Sequence, residues 1–383
     1  MGDCCEQPFE KTDFEGFIKS RFVEFETIKA GASGCKKYMV RDARGQKYFV
    51  RLSPLSELIR RRFEYEVQST NPICEALMPK LEEYGVHENM VFAVYEWVEG
   101  RTLRSALKQM TKHDRFTTGM KVGALLKDLH SVSYDVVSDD LVDEIASIME
   151  NRIRSKYGWV LDSQPRFENL GNILCGRLNL QSILKCTNIS GGGVVFTHGD
   201  LQASNLIFCG TKIVAIDFEV SGVSSPWQDL GIMLCRALFE CESDLSYAAG
   251  CLFGYTQEKI ELQKHELVQH MILESLNILL YIYNYHRIGT DGTEKALKAL
   301  DKIFSVNKFL LDASDNFEVF ENAMQNEIRH HLMLMEHDKY DLFEQLQQAQ
   351  IRVKQLETST CWRITKPLRV IINAARAVAG LHK

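Results

Sequence analysis

Short runs of alternating apolar and polar residues fill the first hundred positions and then give way to helical spacing. "FVEFETIKA" (22–30) reads as a strand. "GASGCKK" (31–37) interrupts the pattern, and "YMVRDARGQKYFVRL" (38–52) reads as a hairpin turning near Gly45. "SELIRRRFEYEVQST" (56–70) has helical spacing with Ser56 as its N-cap. "NMVFAVYEWVEG" (89–100) returns to strand, so this part predicts a small sheet carrying one helix. From Thr102 to about Val137 the pattern is helical, with Leu125, Leu126, Leu129 and His130 on one face. Residues 138–193 are mixed and close on the turn-forming "SGGG" (190–193). Two short apolar runs flank "THGDLQASNLIF" (197–208), and helical spacing resumes after Asp229 up to about residue 315.

The remainder changes character. Ile328, Leu332, Met335, Leu342, Leu346, Ala349, Val353 and Leu356 recur at alternating four- and three-residue steps, with Lys339 the one break in the seam. This is a coiled-coil register suited to self-association or a partner helix; an amphipathic helix packed on its own chain has the same pattern. After Glu357 no acidic residue occurs, while Arg363, Lys366, Arg369, Arg376 and Lys383 alternate with apolar positions from Trp362 onward. A basic amphipathic tail suits an anionic membrane surface, and a docked C-terminal helix is the plainer alternative.

Composition narrows the class. A chain of 383 residues with 45% hydrophobic and 25% charged positions is globular and long enough for two or three domains or lobes. A formal charge of −6 argues against nucleic acid as the partner. The eleven cysteines include no CxxC pair, so neither a zinc site nor a disulfide framework is expected. No secretory apolar segment opens the chain, and a reducing cytoplasm is the expected setting. The longest apolar stretch, "MILESLNILLYIYNY" (271–285), is broken by Glu274, Asn277 and Asn284 and predicts a buried helix rather than a span.

The chemistry concentrates in "THGDLQASNLIF". Asp200 and Asn205 stand five residues apart on a loop between apolar segments, and "IVAIDFE" (213–219) brings Asp217 to the end of another strand twelve residues later. One carboxylate to accept a proton, and an amide oxygen beside a second carboxylate, are what phosphoryl transfer requires. Asn205 and Asp217 are hard oxygen ligands suited to Mg²⁺, which takes few protein carboxylates and completes its shell on phosphate oxygens. Order strengthens the motif: β-rich part, glycine turn, the hinge-like "YEWVEG", helix, loop, Asp strand.

Together "THGDLQASNLIF", "VAIDFE" and "PWQDLG" resemble the aminoglycoside phosphotransferase and choline kinase-like family over roughly residues 20 to 310. The family's "LxxLH" is matched by Leu126, Leu129 and His130, and its hinge by "YEWVEGRTL" (95–103). The resemblance implies an α+β, protein-kinase-like bilobal fold: a β-rich N-lobe (1–96), a helical C-lobe (97–315), a coiled-coil helix (316–358) and a basic amphipathic tail (359–383). It implies ATP and Mg²⁺ as cofactors and a small hydroxylated acceptor. By position it makes Asp200 the catalytic base or acceptor-orienting carboxylate, Asn205 and Asp217 the metal ligands, and His198 and Asp229 supports of the loop. Asp229 also stands where an N-cap of "LGIMLCRAL" would be. Nucleotide contacts fall to Glu96 and Val98 at the hinge, to Gly31 and Gly34, and to the cation of strand three.

Two departures from the family pattern stand out. Arg51 occupies the position of the usual lysine, with Lys47 the fallback on the same strand face and Glu64 (Glu66 as runner-up) its helical partner. "GASGCK" is neither a Walker sequence nor GxGxxG, so Gly31 to Gly34 either cradle phosphate or form a plain turn. Glu219, following Asp217 and Phe218, reads as a second metal-side carboxylate or as a bystander. "STCWRITKPLR" (359–369) resembles a stretch found after coiled coils in bacterial surface-polysaccharide enzymes, which implies work at the inner face of a membrane. The expected function is ATP-dependent phosphorylation of a hydroxyl on a sugar or small polar acceptor. A pseudokinase scaffold and a protein kinase are the alternatives, the latter lacking an Ala-Pro-Glu after Asp217. The acidic residues Asp139, Asp140, Asp143, Glu144 and Glu242 suit either a cationic acceptor or a solvated surface.

Overall fold

The computed structural model describes residues 14–28, 35–162, 193–241 and 244–256, most of 266–278, 322–337, and isolated positions within 345–350. Gly31, Gly34, Glu242, the coiled-coil seam beyond Met335 and the tail 359–383 lie outside those residues. The chain divides into two compact units, Met1–Ile328 and Arg329–Lys383, a division inside the segment read as coiled coil. Residues 322–337 are helical, as the seam spacing predicts.

The first unit opens with helix α1 (Phe14–Arg21) and an antiparallel five-stranded sheet: β1 (Glu24–Thr27), β2 (Lys36–Arg41), β3 (Lys47–Pro54), β4 (Leu81–His87) and β5 (Met90–Glu96), in the order β1-β2-β3-β5-β4. β2 and β3 form the expected hairpin, closed at Arg41–Lys47 around Gly45, whose φ of +83° belongs to the left-handed region glycine enters freely. Counting outward from that closing pair sets Lys37 directly opposite Arg51. α1 drops Ile18 among Val40, Val50, Leu52 and Phe92 on one sheet face. Each such fully buried side chain contributes roughly 1.5–3 kcal/mol. Tyr95, Ala93 and Leu81 form a cluster on the opposite face. The sequence pattern predicted one helix here; α1 and the edge strand β4 are additional.

Helix α2 (Leu58–Thr70) starts later than predicted. Pro54 has φ −57° and leads into a tight turn over Leu55–Glu57, so Ser56 lies inside that turn and is not the N-cap. A short helix α3 (Cys74–Leu77) follows α2. The run from Thr102 is two helices, α4 (Leu103–Leu107) and α5 (Lys112–His130), because Thr111 and Asp114 form a reciprocal capping box that starts the second. Helix α6 (Asp139–Asp162) follows, then β7 (Val195–Thr197), β8 (Leu206–Cys209), β9 (Lys212–Ala215) and β10 (Gly222–Ser224). The unit continues with α7 (Pro226–Glu240) and α8 (Ser246–Thr256). β7 pairs with β10, and β8 pairs with β9 and with the two-residue β6 (Arg101–Thr102).

α5 and α8 cross almost backbone to backbone: a Cβ on Gly123 would stand 2.0 Å from the Cys251 carbonyl oxygen. That approach sets His130, the last residue of α5, beside the Tyr255 hydroxyl at 2.9 Å. Ser225 caps α7 with Pro226 at its first position, so Asp229 lies within the first turn and is not an N-cap. Among the described residues no helix is long and apolar enough to cross a membrane.

Candidate active site

The 197–208 stretch leaves β7, crosses the open end of the β8–β9 hairpin and enters β8 after a tight turn at Ala203–Asn205. Gly199 makes the bend, with φ +79° and no room for a side chain, since a Cβ would lie 2.3 Å from the Val220 carbonyl oxygen. Gly199→Ala therefore combines left-handed strain with a backbone clash. We expect that variant to lose thermal stability and phosphotransfer together; a wild-type melting curve would show that the loop tolerates a different path.

His198 is fully buried and spends both ring nitrogens on backbone. Its Nε2–H donates to the Ile216 carbonyl at 2.9 Å, and its Nδ1 accepts from the Asp200 amide at 3.2 Å. A carbonyl only accepts and an amide only donates, so the ring is the neutral Nε2–H tautomer with no nitrogen left for proton transfer. Asp229, also fully buried, accepts from the His198 amide at 2.6 Å and the Gly199 amide at 2.7 Å. His130 Nε2 lies 3.5 Å from the same carboxylate. Burial pushes the Asp229 carboxyl up, but the hydrogen bonds from His130 and from the His198 amide outweigh it and hold the group below its ordinary value. The aspartate clamps the loop to α7 through two amides.

Asp200 and Asn205 meet as their spacing suggested. Asp200 Oδ2 accepts from Gln202 Nε2 at 2.9 Å and from Asn205 Nδ2 at 3.0 Å, and the Asn205 amide also donates to the Asp200 carbonyl at 2.9 Å. The Asn205 carbonyl accepts from the Ile216 amide at 2.9 Å, which sets Asn205 across the hairpin from Asp217. Asp217 is itself left-handed, with φ +67°. Its Oδ1 accepts from Arg51 Nη1, and Lys37 Nζ lies 3.6 Å from its Oδ2. Burial raises the Asp217 pKa, but Arg51 first and Lys37 second outweigh it and hold the carboxyl below its ordinary value.

Several expectations shift. Lys47, the fallback to Arg51, pairs with Glu99 at the rim, about 13 Å along the strand from Arg51 at ~3.3 Å per residue, and Asp217 has another second cation. Lys37, opposite Arg51 on the neighbouring strand, takes that place; extending the hairpin register from Gly45 would have found it. Glu64 takes Arg61 as its partner, while Arg51 turns to Asp217 and Glu219. The reason is distance along the helix: Arg61 is one turn from Glu64, is buried with it, and also binds the Tyr95 hydroxyl and the Phe218 carbonyl, the latter at 3.0 Å. Arg61 thus ties α2 to β5 and to the Asp217 turn, a role with no motif to announce it. Glu66 pairs with Arg62 on the exposed side at 2.8 Å. The Glu219 carboxylate meets Arg51. Glu96 ends β5 with an exposed side chain and its amide bound to the Lys80 carbonyl at 2.9 Å; Val98, half-buried, lies in the connection to β6. Asp139, Asp140, Asp143 and Glu144 are exposed on the first turns of α6.

Among the described residues no cluster of three or more His, Cys, Asp or Glu side chains is set to hold a metal by itself. Asp217, kept ionised, and Asn205, whose Oδ1 accepts no hydrogen bond among the described residues, fit Mg²⁺ in the form that shares its shell with phosphate oxygens. The sequence model of the Phosphotransferase enzyme family matches residues 24–265. Among solved structures, the amicoumacin kinase hAmiN in complex with AMP-PNP, Ca²⁺ and Ami superposes with a TM-score of 0.53 at 16% identity, over 79% of this chain and 94% of that one. The gentamicin–APH(2")-IIa complex does so with a TM-score of 0.51 at 17% identity, over 76% of this chain and 95% of that one. These likenesses establish the kinase-like fold, a β-rich lobe followed by a helical one. No curated protein sequence matches the chain.

Proposed function

The chain belongs to the phosphotransferase enzyme family, a phosphotransferase with a hydroxyl acceptor, and from that premise we propose that it moves the γ-phosphoryl group of ATP to a hydroxyl of a sugar or similarly small polar molecule. The observation that carries this reading is the meeting of Asp200, Asn205 and Asp217 with Arg51 and Lys37 at one junction. Asp200 orients the acceptor hydroxyl and takes its proton. Asn205 and Asp217 would hold Mg²⁺, which would supply charge neutralisation for the phosphates. Arg51 and Lys37 neutralise Asp217 in the free chain and are released to the triphosphate when nucleotide enters. The arginine fork presents two parallel donors to phosphate oxygens, where a lysine would present a point charge. Glu96 and Val98 offer backbone groups to the base.

A membrane-bound glycan intermediate is the finer reading of the acceptor. It rests on the resemblance of residues 359–369 to surface-polysaccharide enzymes and on the basic character of 359–383.

Mg²⁺-dependent nucleotide binding is the direct test. ATP with Mg²⁺ at about 100 times its dissociation constant should stabilise the fold by roughly 2.7 kcal/mol, with a rise in melting temperature that chelation with EDTA removes. A chain whose melting is unmoved by any nucleotide, with or without Mg²⁺, would be a scaffold rather than a working kinase.

A further inference from the structure

The carboxylate that would receive the acceptor hydroxyl lies among arginines. Arg60, on α2, donates to Glu57 at 3.1 Å and to the Glu219 carbonyl at 3.1 Å. Arg236, on α7, is held by Glu274 at 2.7 Å. Arg152, on α6, has neither: among the described residues its guanidinium makes no hydrogen bond and no ion pair, and its Nη1 is shut off from solvent. Asp200 acts electrostatically on both Arg152 and Arg236, so both stand within its field. Packing explains the position. Gly222 of β10 sits under Met149 of α6, where a Cβ would come within 2.6 Å of Met149 Cγ, and Arg152 is one turn further along that helix.

An arginine cannot shed its proton to escape burial. Leaving its charge without a partner costs stability unless something supplies the opposite charge. Asp200 makes no hydrogen bond or ion pair to Arg152 among the described residues, and its Oδ2 accepts from Gln202 and Asn205. Burial first and Arg60 second pull the Arg152 pKa down, and Asp200, Glu57 and Glu274 act the other way without outweighing them. The acidic residues of α6 near it are spent elsewhere: Asp139, Asp140, Asp143 and Glu144 are exposed on the first turns of the helix, and Glu150 pairs with Arg154. A cationic acceptor approaching Asp200 would meet Arg152 and its two arginine neighbours. A carboxylate or phosphate on the acceptor would complete the pairing.

We propose that the acceptor is an anionic hydroxyl compound, a sugar or polyol bearing a carboxylate or phosphate group, and that Arg152 is the residue that recognises that group beside Asp200. The proposal rests on the phosphotransferase reading and specifies its substrate class. A half-buried side chain on the helix facing β10 is suited to this, because the guanidinium fork pairs with a carboxylate or phosphate through two hydrogen bonds.

The test separates the two claims. With AMP-PNP and Mg²⁺ filling the nucleotide site, inorganic phosphate, glucuronate and glucosamine are titrated against wild type and Arg152→Gln while melting temperature is followed. The anions should raise the wild-type melting temperature, glucosamine should not, and Arg152→Gln should weaken anion binding by roughly 10- to 100-fold. Arg152→Gln itself should melt no lower than wild type, since it removes a half-buried charge that has no partner among the described residues. In transfer assays with ATP the variant should raise the KM of an anionic acceptor and leave that of ATP unchanged. An equal anion response in the two proteins, a preference for glucosamine, or a rise confined to the KM of ATP would overturn the proposal. Loss of the AMP-PNP response in wild type would instead strike at the phosphotransferase reading.

Discussion

Replacing Asp200 by Asn should lower the rate of phosphoryl transfer by about 10²- to 10⁴-fold, the contribution of a positioned proton acceptor, while nucleotide binding persists. The loss belongs to chemistry because the geometry survives the change. Asp200 Oδ2 accepts from Gln202 and Asn205, and an asparagine oxygen accepts the same two bonds. The backbone bonds to His198 Nδ1 and from Asn205 to the Asp200 carbonyl are untouched. The side chain loses only its negative charge and its capacity to take a proton. Steady-state kcat, with a parallel thermal shift by AMP-PNP and Mg²⁺, separates the two effects. Turnover at the wild-type rate would remove Asp200 from the mechanism.

Asp229→Ala should affect both stability and rate. The His198 and Gly199 amides lose their acceptor at a position with no exposure, and His130 loses its carboxylate neighbour. Each buried donor left unsatisfied costs about 1–3 kcal/mol. For a unit of this size a loss of about 3 kcal/mol lowers the melting temperature by roughly 4 °C. The catalytic loop is no longer clamped to α7, so kcat falls as well. Asp229→Asn does not restore it, since one of its two side-chain groups would present an N–H to an amide N–H. The difference between wild type and Asp229→Ala should also depend on pH in a defined direction. A carboxyl whose folded pKa is depressed stabilises the fold fully above its unfolded value, about 3.9, and loses that contribution as pH falls through the folded value. The two melting curves should therefore be furthest apart above pH 5 and converge in strong acid. Equal melting temperatures at neutral pH would mean that the loop is held by other means.

Much of this site was legible in the chain because its parts are local. Asp200 and Asn205 lie on one loop, and the residues between them fix their approach. The Gly45 hairpin sets its own register. The membership of Asp217 follows from β9, a strand that begins three residues after the end of β8, the strand that Asn205 leads into. Capping was less legible. Ser56 and Asp229 both have the right residue type for an N-cap, yet Pro54 and the Ser225-Pro226 pair set the helix starts elsewhere.

What escaped the sequence was partner choice among charges. Arg51, Lys47, Glu64, Glu66 and Glu219 are all plausible partners on paper, because side-chain charge carries no address. Only the tertiary structure brings Lys37 beside Arg51 across the hairpin, turns Arg51 toward Asp217 and Glu219, and gives Glu64 to Arg61. Arg152 is the clearest case. In the sequence it is one basic residue among several in an amphipathic helix. Its lack of a partner among the described residues, and its place in the field of Asp200, arise from α6 packing over β10 at a distance of about seventy residues along the chain. The sequence determined which chemical groups the protein owns and which of them share a loop. Folding decided which charges neutralise one another, because Coulomb energy and desolvation depend on separation in space and on burial, neither of which is written in the order of residues.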